Sequence, residues 1–173
     1  MMDRAQLVEL IRQGEAIRKV AFSTADLSGA DLSGAVFEEV DFRGANLEGA
    51  SFRESVLAGC RLDAARLRAA DLRLIAAHRC TFFGADLAGA QMVSAKIIEG
   101  DLGEADFSGA DLRIAALAQC SLQAARLCGA NLERTAIIEA DTTRIDLSET
   151  ALKQTVLLKA DLRKANLHGA SFE

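Results

Sequence analysis

The chain has no proline, tryptophan or tyrosine, and its aromatic content is limited to 8 phenylalanines among 173 residues. A core made without large rings must be assembled from small, similar pieces laid down many times. Cationic surplus is missing too. A formal charge of −5 and a pI near 5.1 argue against nonspecific attraction to nucleic acid or anionic lipid, both of which reward clustered Lys and Arg. No direct nucleic-acid binding is expected. The N-terminal stretch MMDRAQLVELIRQGEAIRK carries charges through every short apolar run, and no later segment approaches the length of a membrane span. A cytoplasmic protein without membrane association is therefore expected. The 4 cysteines fit no CxxC spacing, and the 2 histidines lie far apart, so neither a metal site nor a catalytic triad can be assembled from them. Surface carboxylates are abundant, but on a repetitive chain they read as solvation rather than acid–base machinery. Catalytic, cofactor-binding and metal-binding residues are all expected to be absent, and the chain is not expected to be an enzyme.

What is present is a period. Stepping by five from Leu27 in both directions gives 31 positions from Phe22 to Phe172, of which 29 are Leu, Phe, Ile or Met. Only Ala77 and Thr142 break the rule. Two residues before each centre sits a small or modest side chain, mostly Ala, and the phase never slips. Around Ala77 the sizes are exchanged, with Ile75 where Ala is expected, which roughly conserves volume. Ten of the 13 glycines stand two residues after a centre, where a chain turning a corner profits from glycine's freedom.

A second period of 20 lies over the first. If four pentapeptides make one coil, positions 20 apart stack on one of four faces, and the residue just before each centre reports that face's chemistry. On three faces it is polar, with Ala21 and Ala151 the only apolar residues among 24. On the fourth it reads Val36, Val56, Ala76, Lys96, Ala116, Ala136 and Val156. The residues after the fourth-face centres, among them Ala58, His78, Ile98, Ala118, Ile138 and Leu158, extend this into a long apolar stripe. Cys60, Cys80 and Cys120 obey the same period, sharing one inward column with Gly100 and Ala140 as small buried hydrophobes. Cys128 follows a centre and should point outward.

The runs Ala25-Asp26-Leu27-Ser28-Gly29 and Ala30-Asp31-Leu32-Ser33-Gly34 resemble the pentapeptide-repeat family, and the resemblance extends over residues 20–173. It implies an all-β solenoid, a right-handed quadrilateral parallel β-helix of about eight coils, with the centres and the preceding small residues pointing in. The expected core ladders include Phe22, Phe42, Leu62, Phe82, Leu102 and Leu122 on one face and Leu27, Leu47, Leu67, Leu87 and Phe107 on the next. Residues 1–19 form a lead-in segment. Asp3 and Gln6 make a capping box, Leu7, Val8, Leu10 and Ile11 an apolar stripe, and Gly14 a stop, so residues 3–13 are predicted to be a helix covering the first coil. The C-terminal SFE has no comparable cap.

For function, the stripe comes first. A monomer rarely leaves so much contiguous hydrocarbon in water, so Val36, Val56, Ala58, His78, Ile98, Ala118, Ile138, Val156 and Leu158 form the candidate partner interface of a protein-binding or scaffold module. The family resemblance implies an alternative, since members that confer fluoroquinolone resistance resemble B-DNA and bind DNA gyrase in its place. Asp26, Glu48, Asp86, Asp106 and Asp146 are the candidate acidic face for such mimicry. From residue 20 onward, however, 22 acidic and 16 basic residues leave a net of −6, whereas duplex DNA as long as the rod, about 37 Å, would carry about 22 phosphates. A weaker resemblance links residues 7–32, LVELIRQGEAIRKVAFSTADLSGADL, to the pentapeptide-repeat tails of accessory proteins encoded with type VI secretion systems. The expected partner is thus a protein, gyrase being one candidate and a second copy of the chain, held through the C-terminal coil or the apolar face, another. No cofactor is expected.

Overall fold

The computed structural model describes residues 2–172. A nine-residue helix, α1 (Arg4–Arg12), precedes a parallel solenoid whose one continuous sheet stacks eight strands in sequence order, one per coil: β1 (Ile17–Arg18), β2 (Val36–Glu38), β3 (Val56–Ala58), β4 (Ala76–His78), β5 (Lys96–Ile98), β6 (Ala116–Ala118), β7 (Ala136–Ile138) and β8 (Val156–Leu158). Register is 20 residues throughout, with Phe37 beside Leu57 and Ile97 beside Leu117. The other three faces carry single parallel bridges at the same spacing, such as Asp41 with Arg61 and Asp86 with Asp106. Each coil therefore hydrogen-bonds to the next on all four sides. The Phe22 N–H donates to the Asp41 carbonyl at 2.7 Å, and the Asp41 N–H returns a bond to the Val20 carbonyl at 3.0 Å.

Why the chain turns every five residues follows from two local devices. On the three bridged faces, each Asp or Asn that precedes a centre accepts a bond from the backbone N–H two residues on: Asp26 from Ser28, Asp41 from Arg43, Asn131 from Glu133. These are Asx turns, which fold the side chain onto its own backbone. The N–H three residues after the centre then closes onto the centre's carbonyl, as Ala45 does to Phe42 at 3.0 Å. The second device is a left-handed corner two residues after the centre. Gly29 and Gly44 adopt it at φ +61° and +63°, but so do Thr24, Glu54, Ala64, Leu74 and Ile114 at +53° to +61°. On the fourth face no Asp or Asn precedes a centre, β-branched residues are frequent, and the backbone stays extended as the strands of the sheet.

The interior is a stack of the predicted ladders. Phe22, Phe42, Leu62, Phe82, Leu102 and Leu122 are buried, as are Leu27, Leu47, Leu67, Leu87 and Phe107. The aromatics gather at the helix end. Phe42 stacks on Phe22 at 5.6 Å and meets Phe37 and Phe52 edge-on at 5.3 and 6.0 Å, an arrangement worth about 0.5–1.5 kcal/mol per pair beyond area alone. Over them, Leu7 of α1 is fully buried. The capping box is formed in both directions, Asp3 accepting from the Gln6 N–H at 2.9 Å and the Gln6 side chain accepting from the Asp3 N–H at 3.0 Å. Gly14 ends the helix at φ +76°, and its N–H and that of Glu15 reach back to the carbonyls of Ile11 and Leu10, the two bonds of a Schellman stop. At the other end Leu162, Leu167 and Phe172, centres of the last coil, are exposed; Glu173, last residue of the SFE segment, lies outside the described residues.

Both irregular centres are compensated. Ile75 and Ala77 are both buried, confirming the size exchange. Thr142 is buried as well, its hydroxyl donating to the Asp161 carbonyl at 2.8 Å, and Ile145, where Ala would stand, is a fully buried larger side chain whose N–H donates to the Thr142 carbonyl at 3.2 Å. Ile75→Ala alone should cost about 2–4 kcal/mol through the void it opens. Adding Ala77→Leu should restore more than half of that loss, measured as the urea midpoint of the single and double variants; a double variant no more stable than the single would show that the two positions do not share one volume.

Candidate functional site

The sheet face gathers the predicted interface. Val36, Val56, His78, Ile98, Val156 and Leu158 are exposed on it, and Ala58, Ala118 and Ile138 are half-buried. In β2 to β8 the middle residue points inward and the two flanking side chains point out, so the stripe is two columns wide and seven strands long. One edge is lined by ion pairs between successive coils: Arg18 to Glu38 at 2.7 Å at the ends of β1 and β2, and, at the corner, Arg79 to Glu99 at 2.7 Å and Lys159 to Glu139 at 2.6 Å. His78 adds a 3.6 Å approach to Glu99. These charges satisfy one another along the rod's length.

The opposite edge of the same face holds what the period of 20 did not bring out. Leu74 and Ile114 sit at the preceding corner, two residues before Ala76 and Ala116, and are 49% and 52% exposed. They continue the apolar surface around the corner toward Val93. The signal was in the sequence, as the only large apolar residues in a corner column otherwise made of Gly and polar side chains, but its meaning depends on knowing that this column is held left-handed. Apart from this face and the last coil, Phe83 is the one large apolar side chain exposed among the described residues.

The acidic face is differently occupied. Asp26 and Asp146 each accept from the Asn one coil on, Asn46 and Asn166, at 3.0 Å. Asp86 binds Arg68 at 2.5 Å and Asp106 lies 3.5 Å from Arg126. Glu48 stands near the same Arg68. Its carboxylates are turn-formers and ion-pair partners rather than an open array of charge. On the neighbouring faces Arg43, Arg73 and Arg113 each grip the Asp two residues before them through two guanidinium nitrogens. The inward cysteine column is as expected, Cys60, Cys80 and Cys120 being buried with their thiols directed at backbone carbonyls, and Cys128 is half-exposed. Burial pushes the Cys120 thiol up. Gly100 completes the column because a Cβ there would lie 2.9 Å from the Ile97 side chain. Among the described residues no group of three or more His, Cys, Asp and Glu is placed to hold a metal ion, and no helix is long and apolar enough to cross a membrane.

The Arg-gripped carboxylates carry a pH dependence. Hydrogen bonds from Arg43, Arg73 and Arg113 hold Asp41, Asp71 and Asp111 below the usual carboxylate range. A folded-state pKa below the unfolded value stabilises fully above about pH 4, and that contribution is lost as pH falls through the folded value. The thermal midpoint should therefore be flat near neutrality and fall below about pH 4. Asn retains the turn, as Asn46, Asn131 and Asn166 show, so the triple variant Asp41→Asn, Asp71→Asn, Asp111→Asn should keep the fold and make the acid limb between pH 2 and 4 shallower, the remainder resting on Asp26, Asp106, Asp146 and Asp161, which are also held low; an unchanged limb would place the titration elsewhere.

Comparison with known proteins agrees with this geometry. The family model for pentapeptide repeats matches in 8 copies, over residues 21–59, 37–73, 60–97, 78–113 and 143–173. Among solved structures, a trypsin-treated form of QnrB1, a plasmid-mediated fluoroquinolone resistance protein, is 27% identical over 92% of this chain and 83% of its own, with a TM-score of 0.53. HetL, a pentapeptide-repeat protein involved in heterocyst differentiation regulation from the cyanobacterium Nostoc sp. strain PCC 7120, is 23% identical over 100% of this chain and 94% of its own, with a TM-score of 0.35. A pentapeptide-repeat protein of the Arabidopsis thaliana thylakoid lumen is 31% identical over 61% of this chain and 66% of its own, with a TM-score of 0.37. No curated protein matches the chain. With family matches across most of its length and a four-sided solenoid of register 20, the chain belongs to the pentapeptide-repeat family.

Proposed function

We propose that the chain is a non-enzymatic binding or scaffold module that docks a protein along the apolar sheet face of a rigid rod. The observation that carries this reading is the difference between faces. Three are tiled with Asx turns and self-paired charges, while the fourth exposes Val36, Val56, Ile98, Val156 and Leu158 in two columns. Strand preference favours β-branched residues there, but it does not by itself require so much hydrocarbon facing water. The four unpaired thiols fit a reducing, cytoplasmic setting. A second copy of the chain is an alternative occupant, through this face or through the last coil's exposed Leu162, Leu167 and Phe172.

Ile98→Glu with Ile138→Glu should abolish capture of the partner from host lysate while leaving the circular dichroism spectrum and melting midpoint close to wild type. Partners retained equally by both forms would overturn the reading.

A second reading, a DNA-mimicking modulator of gyrase or another topoisomerase that confers fluoroquinolone resistance, is favoured by the likeness to QnrB1. Against it stand the net charge of −6 from residue 20 onward and the engagement of Asp26, Asp86, Asp106 and Asp146 in turns and ion pairs. If mimicry operates, purified protein at micromolar concentration should alter gyrase supercoiling; unaltered supercoiling would remove this reading.

A further inference from the structure

The corner beside the sheet face holds two side chains that the fold itself does not need. Leu74 and Ile114 adopt φ +61°, a left-handed conformation that is disfavoured for bulky residues and an outlier for a β-branched one. Neither is recompensed by burial, since about half of each remains in water. Corners elsewhere use Gly, Ala or polar residues for the same turn. Strain without internal return is a reason to look for an external one.

Charge supplies the second observation. Lys96 stands in the middle strand of the apolar stripe, between Ala76 and Ala116 on the adjacent strands. Arg134 follows Ile114 one coil on, and the two share a surface cavity of about 220 Å³ with Val93, Arg113 and Glu133. Most of the arginines on the neighbouring faces are held by carboxylates, yet among the described residues neither Lys96 nor Arg134 forms an ion pair. One unpaired cation within the apolar stripe, Lys96, and a second at its corner, Arg134, beside Arg113 and Glu133, on a chain that is acidic as a whole, complement a partner carrying carboxylates beside hydrocarbon.

Dimensions indicate the partner's form. A strand face three residues wide spans about 10 Å, close to the diameter of an α-helix with its side chains, about 10–12 Å. Coils repeat at about 4.8 Å, near the helical pitch of 5.4 Å. Leu74 and Ile114, two coils apart, are thus separated by about 10 Å, the span of seven residues along a helix. Resting on the binding reading proposed above, we infer that the surface formed by Leu74, Lys96, Ile98, Ile114 and Arg134 receives an acidic amphipathic α-helix of a partner protein, laid along the rod with its carboxylates on Lys96 and Arg134.

The test uses the full chain and two fluorescein-labelled helical peptides, one patterned with Leu and Glu and its counterpart with Leu and Lys, followed by anisotropy. The Leu/Glu peptide should bind at least about tenfold more tightly than the Leu/Lys peptide. Lys96→Glu should weaken the Leu/Glu peptide about fivefold and strengthen the other. Leu74→Asn with Ile114→Asn should weaken binding about thirtyfold while holding or raising the melting midpoint, by about 2–4 °C, because Asn accepts the left-handed corner. A lower midpoint would show that these side chains serve the fold, and equal binding of both peptides, or indifference to Lys96→Glu, would overturn the acidic partner. Absence of binding by either peptide would overturn the helix. Self-association in sedimentation equilibrium that the Asn pair abolishes would make the occupant a second copy, again overturning the proposal. If the Ile98→Glu, Ile138→Glu variant loses its lysate partner while the peptide results are negative, the broader binding reading survives without this one.

Discussion

Everything in this molecule depends on one constraint, that each coil must present its backbone to the next at the same four places. Hydrogen bonds between coils run along all four faces, and their register is 20 residues throughout, without insertion or deletion. A single added residue would turn every later centre outward on its face, as a one-residue slip does in any sheet. Side-chain choice is then free only within what the ladder allows. Inward positions take a large and a small residue in alternation, and where that alternation fails, at Ala77 and Thr142, a buried isoleucine, Ile75 or Ile145, stands at a neighbouring small position.

Much of this could be read from the sequence, because side-chain size and period are properties of the letters themselves. The core ladders, the buried column of Cys60, Cys80 and Cys120, the helix over the first coil with its Asp3–Gln6 box, and the separate chemistry of the fourth face all follow from spacing. What could not be read depends on backbone geometry. The Asp and Asn residues before the centres look like solvation and turn out to fold the corners, because an Asx turn is recognisable only once the N–H two residues on is known to point back. Ile145 opposite Thr142 is a compensation across two pentapeptides, invisible to a comparison within one. Leu74 and Ile114 were in view as letters, but their position at a left-handed corner beside the sheet was not.

The electrostatics follow from the same repetition. Residues 20 apart stack, so a charge is always close to the side chains above and below it, and like charges in one column would repel along the rod. The chain answers in part by alternation, with Arg18 beside Glu38, Arg79 beside Glu99 and Glu139 beside Lys159, in part by placing Asn next to Asp, as at Asp26 and Asn46, and, where Asp86 stacks on Asp106, by an arginine beside each. An evenly acidic face of the kind that would imitate a phosphate backbone is therefore costly in this architecture unless its carboxylates are spread apart, and here they are instead consumed locally. Most such pairs are exposed and contribute little to stability individually. Their effect is to leave the charged faces electrostatically quiet.

Against that quiet background the sheet face differs for two separable reasons. Extended backbone favours Val and Ile, so Val36, Val56 and Val156 satisfy a local preference of the strands that carry them. That argument stops at the strand ends. Leu74 and Ile114 lie beyond them, in a backbone conformation that their side chains oppose, and Lys96 lies within them, charged where its neighbours are apolar. No demand of the solenoid accounts for these three residues, since Gly or Asn at the corners and Val or Ala in the strand would serve the ladder better. The features that fit the fold least well are grouped within two coils of one another at the one apolar face, and it is that grouping, more than the hydrocarbon alone, on which the proposed recognition rests.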